Sequence, residues 1–262
     1  MQPDNFEHLA KHYDSMMNHV DYERWVVVST MIAELCPNED FQHLDVGCGT
    51  GALVKLLRDH GWRSYGADLS PAMLAQARQD SVQQPLIRAD MTNLPFNNSF
   101  HFMTCVFDSF NFLLDERDLQ QSFLSIRDAM TPQGVLYFDV ITEHMVTEHY
   151  ADKSWVDRNG RSKMRWKGSY NQESRIVENT IIIDNANPTI VRERMYSIDE
   201  IQTAAQNAGL TILGILDTEN WHDPKQETLR LDIVASVRDD AEIHNQFSRI
   251  REEIESILSD TD

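Results

Sequence analysis

The chain reads as an α/β fold on a doubly wound, mostly parallel sheet, with a small antiparallel β insertion after the fifth strand. Three observations predict it. Short apolar runs alternate with amphipathic stretches from residue 43 to about 140, the pattern of successive β–α–β units. The first run, in "FQHLDVGCGTGALVKLLRDHGW", reaches Gly47, Gly49 and Gly51 and passes directly into a helical pattern. From about residue 144 the runs become β-branched and aromatic, with no helix between them, as consecutive antiparallel strands do.

Residues 4–18 and 21–35 read as two helices. In the second, Trp25, Val28, Met31, Ile32 and Leu35 recur at helical spacing, and Pro37 closes it. "HLDVG" (43–47) is the first strand, and "TGALVKLLRDHG" is a helix ended by Gly61 at C′. "SYGADL" (64–69) is the second strand. "SPAMLAQARQ" is a helix opened by Ser70 as N-cap and Pro71 at N1. "PLIRADM" (85–91) and "HFMTCVFDS" (101–109) are the third and fourth strands. "DERDLQQSFLSIRDAM" is a helix, and "TPQGVLYFDV" is a turn and the fifth strand. "SKMRWKGSY", "RIVENTIIID" and "TIVRERMY" form the insertion. "SIDEIQTAAQNAGL" resumes as a capped helix, and two strands near 210–217 and 228–237 follow. In 240–260, Ile243, Phe247, Ile250, Ile254 and Ile257 make an apolar seam that suits packing on its own domain better than a dimer seam. The organisation expected is a core at 1–143 with N-terminal helices, a β lid at 144–196, the remainder of the core at 197–238 and a C-terminal helix at 239–262.

Composition narrows the partners. A formal net charge of -19 repels phosphate backbones and anionic membrane surfaces, so nucleic acid and membrane are not expected. Cys36, Cys48 and Cys105 make no CxxC pair, which gives neither a zinc site nor a disulfide framework. The first residues lack the basic-then-apolar order of a secretory signal, and no run approaches the roughly 20 apolar residues of a membrane helix. The expectation is a cytoplasmic protein, monomeric or homodimeric, acting on a small molecule.

In a doubly wound sheet ligands sit beyond the carboxyl ends of the strands, just after residues 46, 67, 89, 107 and 140. The glycines permit positive φ and close approach of backbone amides to a ligand. Gly47, Gly49 and Ala52 also match G-x-G-x-x-G/A loosely, so the loop alone suits a dinucleotide or an adenosyl cofactor. Asp45 is placed to order the loop or to pair with a cation. Asp68 ends the second strand, where an acid takes ribose hydroxyls in either class. Asp90 can accept from an exocyclic amine, and Met91 can pack on an adenine ring.

"LDVGCGTG", "GADLSPAML", "RADMTNLPF", "FDSFNFLL" and "MTPQGVLYFDV", in this order and at these distances, resemble the consecutive motifs of class I S-adenosylmethionine-dependent methyltransferases. The resemblance covers about 40–140, and "YSIDEIQTAAQNAGL" with the last strands extends it to about 237. "HYDSMMNHVDYERW" and the inserted strands resemble a bacterial small-molecule branch with a lid. The resemblance implies a seven-stranded sheet with its last strand antiparallel, and S-adenosyl-L-methionine as cofactor. It also implies that Gly47, Gly49 and Gly51 line the methionine part, that Asp68 holds the ribose and that Leu69, Asp90 and Met91 meet the adenine. Phe107 approaches from the fourth strand, and Tyr13, with Tyr22 or Trp25, closes over the cofactor. "FDSFN" lacks the Asp/Asn-Pro-Pro-Tyr/Phe motif of amide and nucleobase N-methylating branches, which argues against DNA-adenine or protein-glutamine methylation.

Methyl transfer from a sulfonium is an in-line displacement that needs alignment above all. It needs no metal, and a base only where the nucleophile must lose a proton. The candidate bases are Asp108, closest to the reacting methyl by topology, and His144, His149, His222 and Tyr196. Glu143, His144 and His149 fit no metal-ligand spacing. Trp155, Trp166 and Tyr170 of the lid are either a substrate wall or the aromatic core of a small sheet. Two other readings stay open. A nicotinamide-dependent oxidoreductase lacks a Tyr-x-x-x-Lys pair here and gives Asp90-Met91 no purpose; a non-catalytic cofactor-binding protein fits poorly with an intact set of acids and glycines.

Overall fold

The computed structural model describes residues 6–37, 40–78, 85–159, 162–184 and 186–259. The start of the first expected helix at 4–5, Gln79 at the end of the fourth and the chain end at 260–262 lie outside them. Strands β1 (His43–Val46), β2 (Ser64–Asp68), β3 (Leu86–Arg88), β4 (Phe100–Cys105) and β5 (Met130–Ile141) alternate with helices α3 (Ala52–Asp59), α4 (Pro71–Ala77) and α5 (Glu116–Ala129). With β10 (Thr211–Asp217) and β11 (Arg230–Ser236) they make a seven-stranded sheet in the order β10-β11-β5-β4-β1-β2-β3. Only β11 runs against its neighbours β5 and β10. This is the doubly wound, last-strand-antiparallel sheet expected.

Local chemistry explains the starts and stops. Ser70 Oγ accepts from Met73 N to open α4, and Asp115 accepts from Arg117 N to open α5. Helix α7 (Ile198–Asn207) opens with a reciprocal capping box between Ser197 and Glu200. Gly61, at φ +89, follows the cap of α3. The N-terminal helices are α1 (Ala10–Met16) and α2 (Tyr22–Ala33); α1 is shorter than the expected 4–18 because residues 6–9 form turns.

Between β5 and α7 stand α6 (Glu143–His149) and a four-stranded antiparallel sheet, β6 (Ser154–Asn159), β7 (Ser162–Asn171), β8 (Ile176–Ile183) and β9 (Thr189–Arg194), in order β6-β7-β8-β9. Sequence reading found three of these strands and missed β6 and the short α6. The sheet's inner residues Met164, Ile181, Ile183 and Val191 pack with Leu9, Phe6 and Phe112, so the insertion is seated on the N-terminal segment and the loop after β4. Helix α8 (Ala241–Ser259) buries Ile243, Phe247, Ile250 and Ile254 in one cluster with Trp25, Ile32 and Trp221. Its seam is therefore covered by its own domain; Ile257, at the far end, stays exposed.

Candidate active site

The carboxyl ends of β1, β2, β3 and β4 open onto one cavity of about 850 Å³, within the 300–1,000 Å³ range of small-molecule sites. Nine of the ten residues expected to hold a cofactor line it: Tyr13, Asp45, Gly47, Gly49, Asp68, Leu69, Asp90, Met91 and Phe107. Gly51 does not. It sits at φ +79 as the N-cap of α3, its amide donating to Cys48 O.

The glycine loop is held open from both sides. Gly47 and Gly49 have φ of +74 and +55, conformations costly to any residue with a Cβ. A Cβ on Gly47 would lie 2.6 Å from Ser109 Oγ. Asp68 accepts from Gly49 N with one oxygen (2.8 Å) and from Ser70 N with the other (2.7 Å). Its carboxylate thus ties β2 to the glycine loop. A carboxylate offers about four acceptor positions, so these two bonds still permit it to receive ribose hydroxyls. From α1, Asp14 Oδ1 accepts from Thr50 Oγ1 at 2.5 Å and ties the N-terminal helix to the loop.

Asp45 is buried at the end of β1 and accepts from Thr104 Oγ1 at 2.6 Å. Burial outweighs that bond and raises its carboxyl to about 7. Behind it runs a chain that sequence reading missed. His43 Nε2 lies 2.9 Å from Thr104 Oγ1 and His43 Nδ1 lies 2.8 Å from Ser64 Oγ. Thr104 gives its only proton to Asp45, so Nε2 donates to Thr104 and Nδ1 accepts from Ser64. Burial lowers His43 to about 3, which keeps the ring neutral.

At the other end, Asp90 Oδ1 accepts from Thr92 N and Thr92 Oγ1 and so caps a 3₁₀ turn at Met91–Asn93. Leu69, 48% exposed, forms an apolar shelf facing the same space. Phe107 and Asp108 both adopt left-handed conformations, at φ +59 and +53. Two such residues in succession, one of them a phenylalanine, mark stored strain beside a ligand site. The turn brings Phe107 against Tyr22 (5.1 Å between centroids) and Trp25 (4.9 Å). Tyr22 lines the cavity; Trp25 supports it from behind.

The candidate bases are placed differently from the expectation. Asp108 does not line the cavity: its Oδ1 lies 2.7 Å from Arg230 Nη2, and its amide donates to Asp139 Oδ2. Tyr196 donates to Leu113 O. Among the described residues no histidine lines the cavity. Trp155 and Trp166 stack at 5.5 Å in the lid sheet, around a separate hollow of about 320 Å³, and Tyr170 donates to Glu143 Oε1. These three belong to the lid's own packing. Phe6, Ser109, Phe112 and Arg192 line the cavity unforeseen. Ser109 and Phe112 fall within "FDSFNFLL", while Phe6 and Arg192 lie outside the five motifs.

A methyltransferase domain model matches residues 44–134, which span the glycine loop, Asp68, Asp90 and Phe107. The chain is 26% identical over 238 residues to YqeM of Bacillus subtilis (strain 168), carried under a provisional methyltransferase name, covering 86% of this chain and 94% of that one. Residues 44–134 thus carry a methyltransferase domain, and the chain over most of its length is similar to proteins with methyltransferase names. A second protein with such a name, from Geobacillus sp. (strain WCH70), is 28% identical to this chain over 243 residues, with 88% and 98% of the two chains covered. The fold is that of an S-adenosylmethionine-dependent methyltransferase from Clostridium acetobutylicum ATCC 824 (TM-score 0.74, 23% identity, 89% and 99% coverage). It is equally that of the methyltransferase CcbJ from Streptomyces caelestis (TM-score 0.74, 14% identity, 88% and 97% coverage). The cavity fits the cofactor such enzymes use: glycine backbone where a Cβ would intrude, a buried acid for a cationic amine, and an apolar shelf for a ring. No described helix is long and apolar enough to cross a membrane, and no described group of three His, Cys, Asp or Glu is placed to hold a metal.

Proposed function

We propose that the enzyme methylates a small molecule in the cytoplasm, and that the accepting atom is the nitrogen of an unprotonated amine, with a hydroxyl oxygen as the alternative. The observation that carries this reading is the convergence of Asp45, Gly47, Gly49, Asp68, Leu69 and Met91 on one cavity that none of the five base candidates lines. An amine brings its own lone pair and needs alignment rather than deprotonation. Two relatives over part of the chain act on amines: an amino-sugar N,N-dimethyltransferase of Streptomyces fradiae, 32% identical over 93 residues, and one of Streptomyces venezuelae, 28% identical over 127. Bound in this cavity, S-adenosylmethionine supplies an activated methyl group. Asp68 receives the ribose hydroxyls, Asp45 the cationic amine of the methionine part, and Leu69, Asp90 and Met91 the adenine. Tyr13 and Tyr22 close the cavity from the N-terminal helices and exclude water. Asp108 anchors the Phe107 turn and takes no proton. The acidic chain, at -19, does not favour nucleic acid as a substrate.

Thermal shift ranks the cofactors: stabilisation by S-adenosylhomocysteine and none by NADH is expected, and the reverse overturns the reading. Asp68→Ala should weaken S-adenosylhomocysteine binding by about 1–3 kcal/mol through lost charged hydrogen bonds; unchanged affinity places the ribose elsewhere. Because the Asp45 carboxyl titrates at about 7, affinity for this ligand, whose ammonium group Asp45 receives, should rise as pH increases from about 6 to 8 and then level off. Asp45→Asn should flatten that rise in calorimetric titrations. A labelled-methyl assay on a metabolite extract, sorted into amine and hydroxyl products, tests the acceptor; label confined to hydroxyls refutes the amine.

A further inference from the structure

Beneath the lid, four acids from four segments meet two arginines. Asp108 follows β4, Asp139 stands on β5, Asp232 with Arg230 on β11, Glu193 on lid strand β9, and Arg24 on α2. The Tyr150 phenol, just after α6, faces Asp108, Glu193 and Arg230. Arg230 pairs with Asp108 and Asp139, and Arg24 lies 3.8 Å from Asp232. Glu193 is buried with its carboxyl facing that of Asp108. A carboxyl–carboxyl hydrogen bond requires a proton between the two. Burial, followed by the charge of Asp108, raises Glu193 well above the usual carboxylate range and makes it the donor. The next residue joins the same contact: Arg194 O accepts from Asn111 Nδ2 at 2.8 Å. Adjacent residues of β9 therefore fasten onto segment 108–111, which begins with the strained Phe107–Asp108 turn. Phe107 is a wall of the cavity.

We propose that Glu193 is a positioning residue, latching the lid to the Phe107–Asp108 turn and so setting the wall of the methyl-transfer cavity. The inference rests on the cofactor assignment of that cavity. With the proton present, the latch closes; its loss puts a second negative charge against Asp108, and the contact becomes repulsive. The wall then loosens as pH rises.

The test is calorimetric binding of S-adenosylhomocysteine from about pH 6.5 to 9, with hydrogen exchange of β9, on wild type, Glu193→Gln and Glu193→Ala. Glutamine keeps a donor for Asp108 and cannot ionise. At about pH 6.5 Glu193→Gln should bind within about twofold of wild type, and Glu193→Ala about tenfold more weakly. Because Glu193 is raised well above the usual carboxylate range, any weakening of wild type relative to Glu193→Gln should run in one direction, growing as pH rises, with β9 amides losing protection in wild type alone. The ratio of the two constants cancels titrations that both proteins share, Asp45 among them. A ratio that moves in favour of wild type as pH rises, alanine binding like wild type, or glutamine binding as weakly as alanine would each overturn the latch. Wild type that binds no S-adenosylhomocysteine refutes the cavity reading instead, and β9 protection still decides the latch.

Discussion

Gly47→Ala is expected to reduce S-adenosylhomocysteine affinity at least about a hundredfold, or about 2.7 kcal/mol, the largest effect of any single change in the cavity. Two costs coincide. The residue holds φ +74, and its new Cβ would lie 2.6 Å from Ser109 Oγ and 2.9 Å from Ser109 Cβ. Left-handed backbone costs a residue with a Cβ about 1–2 kcal/mol, and overpacking a filled site about 1–3 kcal/mol. Relief requires the loop to leave the position where its amides face the cavity, or Ser109 to leave the turn after Phe107. Either movement disturbs the site directly. Unfolding in urea should show a loss of about 2–4 kcal/mol from the same two sources. Calorimetry on the folded fraction separates the two effects. Affinity within about threefold of wild type would show that the loop does not hold the cofactor.

Arg230→Met should be the most destabilising change outside the cavity, at about 3–5 kcal/mol near pH 7.5, because it strands Asp108 and Asp139 with no cation between them. The loss should shrink as pH falls. Asp139 already titrates at about 7, raised by burial against the pull of Arg230, and without Arg230 it moves higher still. Its unfolded value lies near 3.9. Between the two, the folded chain carries a proton that the unfolded chain has lost, so this group's contribution to stability falls as pH rises. Denaturation midpoints for wild type and Arg230→Met should therefore converge from pH 8 to 5. Equal differences at both ends would show that the cost is lost packing of the arginine stem.

The core sheet was legible because each strand is an apolar run closed by a turn or a cap. Nine of the ten residues expected at the cofactor share one cavity because the parallel strands send their carboxyl ends to one side. What escaped notice has a common physical character. Strand β6, "SWVDRN", carries four polar residues and no alternation that separates it from a loop. Helix α6 is only Glu143–His149, too short for a periodic pattern to emerge. Asp108 was placed near the site by topology, but its partner Arg230 is more than a hundred residues away in the chain (230 − 108), and nothing in "FDSFN" announces an ion pair. A signal did exist: "YFDV" and "RLDIV" each set an acid inside an apolar strand, and a buried acid requires partners. Asp139 and Asp232 prove to stand opposite one another in the β5–β11 register.

The position of β11 has a consequence for how the chain is made. Strand β5 is paired with β4 on one side, and its other side, Val135–Ile141, is completed only by Arg230–Ser236. Ribosomes deliver chain at about 5–20 residues per second, so the roughly 90 residues between those strands hold that edge open for about 5–20 s on each synthesis. During that interval a row of buried-to-be residues, Leu136, Tyr137, Phe138 and Val140, lies beside unpaired backbone, the arrangement that templates aggregation. The lid sheet closes by local hairpins and can form while the edge waits. The last strand of the sheet to emerge is thus the one that makes the first half of the protein safe from its neighbours on the polysome.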